Sequence, residues 1–398
     1  MIAVKVGGPE SLALAAIAIL LGTWLRRRVP MLERWSIPAA VAGGLCIALI
    51  VTALRGRIAN VEVDSSLRDL LSLVCFTIIG LNASLRVLLR GGLAIPLMLL
   101  LAGIGAALQN VVGGATAWAF GLNPLVGALA GSIALCGGPA TSVAFGAMFE
   151  KEGIPGATSI AVASATFGIA VAGLLSGRVG LFLIRRCGLH SSANSNAVST
   201  DPGLLQSARG DLVTHALLIA LCIGFGSLVS LGMQRIGLTV PSFIGPMTVA
   251  AVWRNVNDRL GWHGLSEWTL REIFQVALPL FIGVAIASLR LWELASLALP
   301  LLAVLIIQVL VTSLFAIAAF WSLRRIAPPY ESAIMSTGFA GFMLGITPNA
   351  MASMEELASK YGPAPQAFLT VPIVGGYLND FVNSLVITSF IGAIRLLQ

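Results

Sequence analysis

The sequence is short of charge. Of its 398 residues 10% are Asp, Glu, Lys or Arg and 57% are hydrophobic, whereas a water-soluble domain carries about 25% charged residues. That deficit excludes a cytosolic enzyme, a disordered chain and a nucleic-acid binder. Histidine is also scarce. His190, His215 and His263 lie in or near polar stretches, so no Ser–His pair is set in an apolar segment. Neither an HExxH signature nor a P-loop occurs, which removes zinc-dependent proteolysis and direct drive by a nucleotide. An intramembrane aspartyl protease needs two carboxylates at membrane depth, and only Asp380 is clearly central in an apolar run. The five cysteines (Cys46, Cys75, Cys136, Cys187, Cys222) form no CxxC pair. They read as reduced and structural, with no transition-metal site and no cofactor. Strict alternation of polar and apolar residues is missing too, which argues against a β-barrel.

What is present is apolar sequence spread along the whole chain. Continuous runs fall near 10–26, 37–54, 69–86, 93–120, 156–184, 212–233, 236–254, 271–290, 296–322 and 365–394, each close to the roughly 20 residues a helix needs to cross a bilayer. The first run has one Lys before it and Arg26, Arg27 and Arg28 after it, the flanks of a retained helix rather than a cleaved signal. Stretches 124–150 and 331–359 are only partly apolar, rich in Gly, Ser, Thr and Pro, and broken in the middle. The long hydrophilic stretch, 188–211, has linker composition.

The two sides of that linker resemble each other. Each has five full apolar segments with the broken stretch between the fourth and fifth, and Ala83-Ser84-Leu85-Arg86 recurs as Ala287-Ser288-Leu289-Arg290, 204 residues on. Five crossings is odd, so consecutive copies have opposite orientation, as in the inverted repeats of secondary transporters. The expected fold is therefore an all-α polytopic membrane protein of about ten transmembrane helices. Residues 1–187 and 212–398 form two inverted five-helix repeats around the linker 188–211, each with a re-entrant hairpin. Sixteen of the 24 Lys and Arg residues fall on the linker's side of this topology and eight on the other. The positive-inside bias makes the linker cytoplasmic and both termini external.

Each broken stretch has a pivot. The first is Cys136-Gly137-Gly138-Pro139-Ala140-Thr141-Ser142, between apolar arms of about twelve residues; the second is Gly345-Ile346-Thr347-Pro348-Asn349-Ala350. Arms that short do not span alone, and non-helical backbone at membrane depth is tolerated only against protein or a water-filled cavity. A kinked spanning helix is the competing reading of the first. Free N–H groups at a helix start attract anions and free C=O groups at a helix end attract cations. Two tips converging from opposite faces would make a midplane site.

Asp380 is the outstanding side chain. It stands near the middle of the last apolar run with Asn379, Asn383 and Ser384 beside it, and the i, i+3, i+4 spacing of Asp380, Asn383 and Ser384 gives them one helical face. A carboxylate at that depth is costly. Its readings are Na⁺ ligation, proton acceptance, pairing with a cation on another helix, or structural hydrogen bonding. Gln109, Asn110, Gln308 and Asn82 read first as interhelical hydrogen-bonding groups and second as substrate contacts. Arg86, Arg90 and Arg290 fit snorkelling at segment ends.

Taken in order, these residues resemble the bacterial sodium/glutamate symporter family along essentially the whole chain. The resemblance rests on Ser36-Ile37-Pro38-Ala39-Ala40-Val41-Ala42-Gly43-Gly44, Leu67-Arg68-Asp69, Ile79-Gly80-Leu81-Asn82-Ala83, Gln109-Asn110, Ala130-Gly131-Ser132 and Ala165-Thr166-Phe167-Gly168 in the first half. In the second half it rests on residues 291–300, Thr347-Pro348-Asn349-Ala350-Met351-Ala352, Val371-Pro372-Ile373-Val374-Gly375 and Asp380-Phe381-Val382-Asn383. It implies homodimers in the bacterial plasma membrane and Na⁺-coupled glutamate uptake by alternating access. One departure stands out: the family's Ser-Gly-Gly-His-Gly-Thr is here Cys136-Gly137-Gly138-Pro139-Ala140-Thr141, so another amino acid or carboxylate is an open alternative.

The expected function is thus Na⁺-coupled symport of glutamate or a similar small carboxylate, with no enzyme activity. A proton-coupled carrier is the alternative, and a channel or sensor a reading from another class. Main-chain N–H groups of Gly137, Gly138, Asn349 and Ala350, with the Thr141 hydroxyl, are the expected substrate donors. Oxygens of Thr347, Asn349, Asp380 and Asn383 are the Na⁺ candidates, with Ser132, Gln109, Asn110 and Gln308 as support.

Overall fold

The computed structural model describes residues 2–34, 37–55, 59–64, 66–86, 92–191, 211–235, 241–262, 264–289 and 298–397. Ser36, Arg57, Arg90, Arg209, His263, Arg290, linker residues 192–210 and the stretch 291–297 lie outside them. The chain is a helical, multi-pass membrane protein. Its first group of helices is α1 (Gly8–Arg28), α2 (Pro30–Arg34), α3 (Ala39–Leu54) and α4 (Ser66–Asn82). Next come α5 (Ala94–Ala119), α6 (Pro124–Leu129), α7 (Gly138–Lys151) and α8 (Ala157–Cys187). After the linker follow α9 (Leu212–Arg235), α10 (Ile244–Leu260), α11 (Glu267–Ala287) and α12 (Ala298–Leu323). The last are α13 (Pro329–Leu344), α14 (Thr347–Tyr361), α15 (Pro365–Ile373) and α16 (Asn379–Leu397), the final two joined by a π-helical turn, Val374–Leu378.

Seven helical stretches among the described residues are long and apolar enough to cross a membrane: α1, α5, α8, Leu212–Met233, α11, Leu299–Leu323 and Pro365–Arg395. Helices α3, α4 and α10 have 16, 17 and 17 residues. At 1.5 Å per residue they reach about 25 Å, short of a hydrocarbon core of about 30 Å. The ten runs of the sequence thus become seven long helices and three shorter ones. The helical fold class stands, with one small addition outside the apolar runs. Strands β1 (Ile2–Val6) and β2 (Ala59–Val63) pair in parallel, from Ile2↔Ala59 to Val6↔Val63. Both lie outside the apolar runs, where a five-residue segment leaves little periodicity to detect.

The helices sort into two bundles by packing. One holds α1, α3, α4, α9, α10 and α11; the other holds α5–α8 and α12–α16. Lipid offers no hydrophobic drive between helices, so close approach relies on small residues. Gly22 and Gly43 bring α1 and α3 together so closely that a Cβ on either would lie within 2 Å of the other helix's backbone, and Gly226 and Gly245 bring α9 and α10 nearly as close, with gaps of 2.2 and 2.0 Å. Within the first bundle Phe76 of α4 stacks on Phe243 at 3.9 Å, and across the bundle boundary Phe145 of α7 meets Phe243 edge-on at 5.3 Å.

The second bundle carries the breaks. Gly113 of α5 lies against Gly127 of α6, and Gly146 of α7 against Thr158 of α8. In the second half Gly341 faces Ala350 and Gly338 faces Met354, so α13 and α14 form an antiparallel hairpin around Gly345 and Ile346. Helices α5 and α12 run antiparallel, with Gly113 near Gln308 and Gly105 near Phe315. Helices α8 and α13 do likewise, with Gly180 near Thr337 and Gly168 near the Leu344 carbonyl. The first arm differs from the expected twelve-residue helix. After the six residues of α6 the chain runs through turns over 130–137 before α7 begins. Here Gly127 and Gly131 admit the backbone of α5, and side chains from other helices add to irregular main-chain bonds such as Leu135 N–H to Gly131 O and Gly138 N–H to Ala134 O.

Candidate functional site

The two breaks meet inside the second bundle. A Cβ on Gly138, whose φ is +65°, would lie 3.3 Å from Ile346, so the first tip touches the second. Each second arm starts with proline in its first turn, Pro139 in α7 and Pro348 in α14, where a missing N–H costs nothing. Ile346 leaves α13 with extended backbone (φ −133°, ψ 158°). A third interruption lies alongside. At Val374–Leu378 the last long helix loosens into a π turn, and Gly376 departs from helical angles (φ −82°, ψ −119°). π turns inside helices cluster at functional sites.

Side chains from distant helices hold these breaks by main-chain atoms. The Ser132 amide donates to Asn110 Oδ1 at 3.3 Å, and its carbonyl accepts from Asn383 Nδ2 at 3.1 Å. Both Asn side chains are thereby oriented, which leaves Asn110 Nδ2, Asn383 Oδ1 and Ser132 Oγ buried without a hydrogen-bond partner among the described residues. Three unmatched polar atoms from three elements is an unusual concentration, since buried polar groups are normally paired. Thr347 donates its hydroxyl to the Gly375 carbonyl, tying the second tip to the π turn. Cys136 Sγ lies 3.3 Å from Asn379 Nδ2 and 3.7 Å from Met343 Sδ.

The residues singled out in the sequence divide accordingly. Ser132, Asn110 and Asn383 come together at the first tip, and Thr347 joins the π turn five residues before Asp380. Asp380 is half-buried, its carbonyl accepts from Ser384 Oγ at 2.8 Å, and its carboxylate has no hydrogen-bond or ion-pair partner among the described residues. Asn349 is directed elsewhere: its Nδ2 donates to the Ile169 carbonyl of α8 at 2.6 Å, while Oδ1 is buried and unpartnered among the described residues. Gln109 and Gln308 stand behind the tips. Gln109 Nε2 donates to Thr312 Oγ1 at 2.9 Å and to the Met343 carbonyl at 2.8 Å, and Gln308 Nε2 donates to the Gln109 carbonyl at 2.5 Å. That is the interhelical role anticipated for them.

The main-chain amides anticipated as donors are engaged in this conformation. Gly137 N–H donates to Ser132 O at 2.9 Å, Gly138 N–H to Ala134 O at 3.0 Å, Asn349 N–H to Ile346 O at 2.9 Å and Ala350 N–H to Ile346 O at 3.4 Å. Thr141 is buried, with its side chain packed beneath Gly137. The π turn was missed, and Asn379 was noted only as a neighbour of Asp380, not as a partner of Cys136. The signals were Pro372 and Gly375-Gly376 in an otherwise apolar run, and an Asn spaced four residues from Asn383.

A family model described as sodium/glutamate symporter matches residues 4–363. The sodium/glutamate symporter of Escherichia coli (strain K12) is 36% identical over 393 residues, covering 96% of each chain. That of Haemophilus influenzae is 35% identical over 387 residues, covering 94% of this chain and 95% of its own. Among solved structures, a sodium proton antiporter of Methanocaldococcus jannaschii aligns over 98% of both chains at a TM-score of 0.45 and 17% identity. With a family match over nearly the whole chain and relatives above one-third identity, the protein is a member of the sodium/glutamate symporter family.

Proposed function

We propose that the protein is a secondary active transporter that couples Na⁺ entry to uptake of glutamate, or of a similar small carboxylate, by alternating access in a bacterial inner membrane. The observation that carries this reading is the convergence of two hairpin tips and a broken helix on buried, unmatched polar atoms, in a chain of this family. Oxygens without partners among the described residues at Asn383, Ser132 and Asn349, with the Asp380 carboxylate and the Thr347 hydroxyl beside the π turn, are groups a Na⁺ ion requires, since transporters coordinate such ions near unwound backbone. The N-termini of α7 and α14, which approach each other at Gly138 and Ile346, favour an anion between them. The altered tip, with Cys136, Pro139 and Ala140, is where substrate preference would depart from that of the relatives.

The topology we propose has ten crossings, two inverted units of residues 1–187 and 212–398, and external termini. Packing supports opposed re-entrant hairpins. Because α5 and α12 run antiparallel, α6 and α13 start from opposite ends of the bundle. Helix α7 returns beside the start of α8, and Tyr330 Oη donates to the Gly362 carbonyl at 2.6 Å, which closes the base of the second hairpin. A homodimer in the lipid bilayer belongs to the same proposal.

The test is uptake of labelled glutamate into proteoliposomes under an imposed Na⁺ gradient. Uptake is expected to concentrate glutamate and to collapse when choline replaces Na⁺. Equal uptake in choline rejects the coupling, and drive by a pH gradient alone identifies the proton-coupled alternative. Asp380→Asn is expected to raise the half-saturating Na⁺ concentration at least about tenfold, the equivalent of one 1.4 kcal/mol interaction, with the assembly unchanged in size. Normal Na⁺ dependence in that variant removes Asp380 from the ion site.

A further inference from the structure

A transported dicarboxylate brings net negative charge to a site made of amides, hydroxyls and main-chain groups. Its own charged side chain, Asp380, has the wrong sign to hold it. Helix α11, in the other bundle, approaches this site. Phe274 packs edge-on against Tyr377 of the π turn, with ring centroids 5.5 Å apart at 78°. Arg271 lies three residues before Phe274, on the same helical face, and is exposed. The Arg271 side chain reaches the Tyr377 hydroxyl, which also lies in the field of Asp380 and, one turn before Arg271, of Glu267. Tyr377 is also two residues from Gly375, whose carbonyl is held by Thr347 of the second tip.

The carboxylate one turn before Arg271 is engaged elsewhere. Glu267 pairs with Arg254 at 3.1 Å, and Arg254 also pairs with Asp258 at 3.1 Å. No carboxylate lies within ion-pair distance of Arg271 among the described residues. Three other basic groups of the second bundle are occupied elsewhere. Arg395 is paired with Glu152, Lys360 with Glu356, and Arg324 lies over Trp321 at 4.7 Å.

Resting on the transport reading above, we propose that Arg271 is a substrate-binding residue whose guanidinium, presented by α11 across the bundle boundary to Tyr377 and the second tip, takes a carboxylate of the transported molecule. A planar guanidinium offers two parallel N–H donors to a carboxylate, which a lysine does not. The anion contact then comes from one bundle and the tips from the other, so carboxylate recognition requires the two bundles to be aligned at the level where Phe274 meets Tyr377.

The experiment compares wild type, Arg271→Lys and Arg271→Gln in proteoliposomes under a Na⁺ gradient, with glutamate and its neutral isostere glutamine as probes. Thermal shift with glutamate is measured separately on the purified proteins without any gradient. Loss of one charge-assisted contact predicts a glutamate KM raised about 10- to 100-fold in Arg271→Gln. Arg271→Lys should be intermediate, and the preference for glutamate over glutamine should narrow. Unchanged elution and unliganded melting show that folding is intact. A glutamate KM within twofold of wild type overturns the proposal. So does an equal rise for both probes, which marks a structural or lipid-facing arginine. A wild type stabilised by glutamate but carrying none rejects the transport reading alone, and the stabilisation lost in Arg271→Gln then judges Arg271. A wild type neither stabilised nor transporting overturns both.

Discussion

Gly341→Ala tests the second hairpin's packing directly. A Cβ at position 341 would stand 2.5 Å from Ala350 Cα and 2.8 Å from both its Cβ and its nitrogen. Non-bonded carbons settle at about 3.5–4.0 Å, so the added methyl must drive α13 and α14 apart by about 1 Å. Overpacking of that kind costs about 1–3 kcal/mol. Against it stands the helix propensity gained on replacing Gly by Ala, about 1 kcal/mol, which leaves a net loss of about 0–2 kcal/mol. Gly224 of α9 is the matched control. It is exposed in a helix interior, and a Cβ there would meet nothing within 4 Å, so Gly224→Ala keeps only the gain. Two chemically identical substitutions should therefore differ by about 1–3 kcal/mol. The assay is apparent melting temperature in one detergent at one scan rate, since unfolding of such a protein is a rate as much as an equilibrium. Gly341→Ala should melt below wild type and Gly224→Ala at or above it. A Gly341→Ala protein as stable as Gly224→Ala would refute the close contact between the arms.

Thr347→Val removes the hydroxyl that holds the Gly375 carbonyl and frees an oxygen in the π turn; half-saturating Na⁺ should shift about tenfold while Thr347→Ser stays near wild type, and Val matching Ser would discount the tie. Asp211 caps α9. The Thr214 hydroxyl first, then the amides of Val213 and Thr214, hold its carboxyl below the usual range. A depressed folded pKa means the cap is fully present above the unfolded value of about 3.9 and is lost as pH falls through the lower folded value. Hydrogen-exchange protection at Val213 and Thr214, taken relative to the intrinsic rate at each pH, should fall in acid, and at neutral pH in Asp211→Ala; equal protection in that variant at pH 7 would remove the cap.

Much of the site was legible because glycine and proline punctuate helices wherever they occur. Gly345 through Pro348 marked the second break and Gly137-Gly138-Pro139 the end of the first, whose start at Ala130 went unmarked, and Asp380 with Asn383 announced a polar face in an apolar run. The π turn was not legible, because Pro372 and Gly375-Gly376 are tolerated in membrane helices and leave hydropathy unchanged. Nor could the sequence show that Asn349 turns to Ile169 while Asn383 turns to Ser132, since both are single amides with no periodic signature. The engaged amides of Gly137 and Gly138 depend on the turns after α6, which follow from Gly113, Gly127 and Gly131 meeting across two helices, a contact that spacing along one chain does not encode. Helix length was similarly ambiguous. Residues 37–54, 69–86 and 236–254 are apolar enough to count as crossings, yet the helices they form stop at 16 or 17 residues.

The asparagine clamps grip Ser132 by its amide and its carbonyl, and Thr347 grips Gly375 by its carbonyl. Every residue except proline offers those atoms. The gripped positions can therefore change identity over evolutionary time while the gripping ones cannot, so the tip sequence is free to drift under fixed architecture. An alanine scan read out by melting temperature would inherit the same blindness, reporting Ser132→Ala as mild and Asn110→Ala and Asn383→Ala as severe at opposite ends of the same hydrogen bonds.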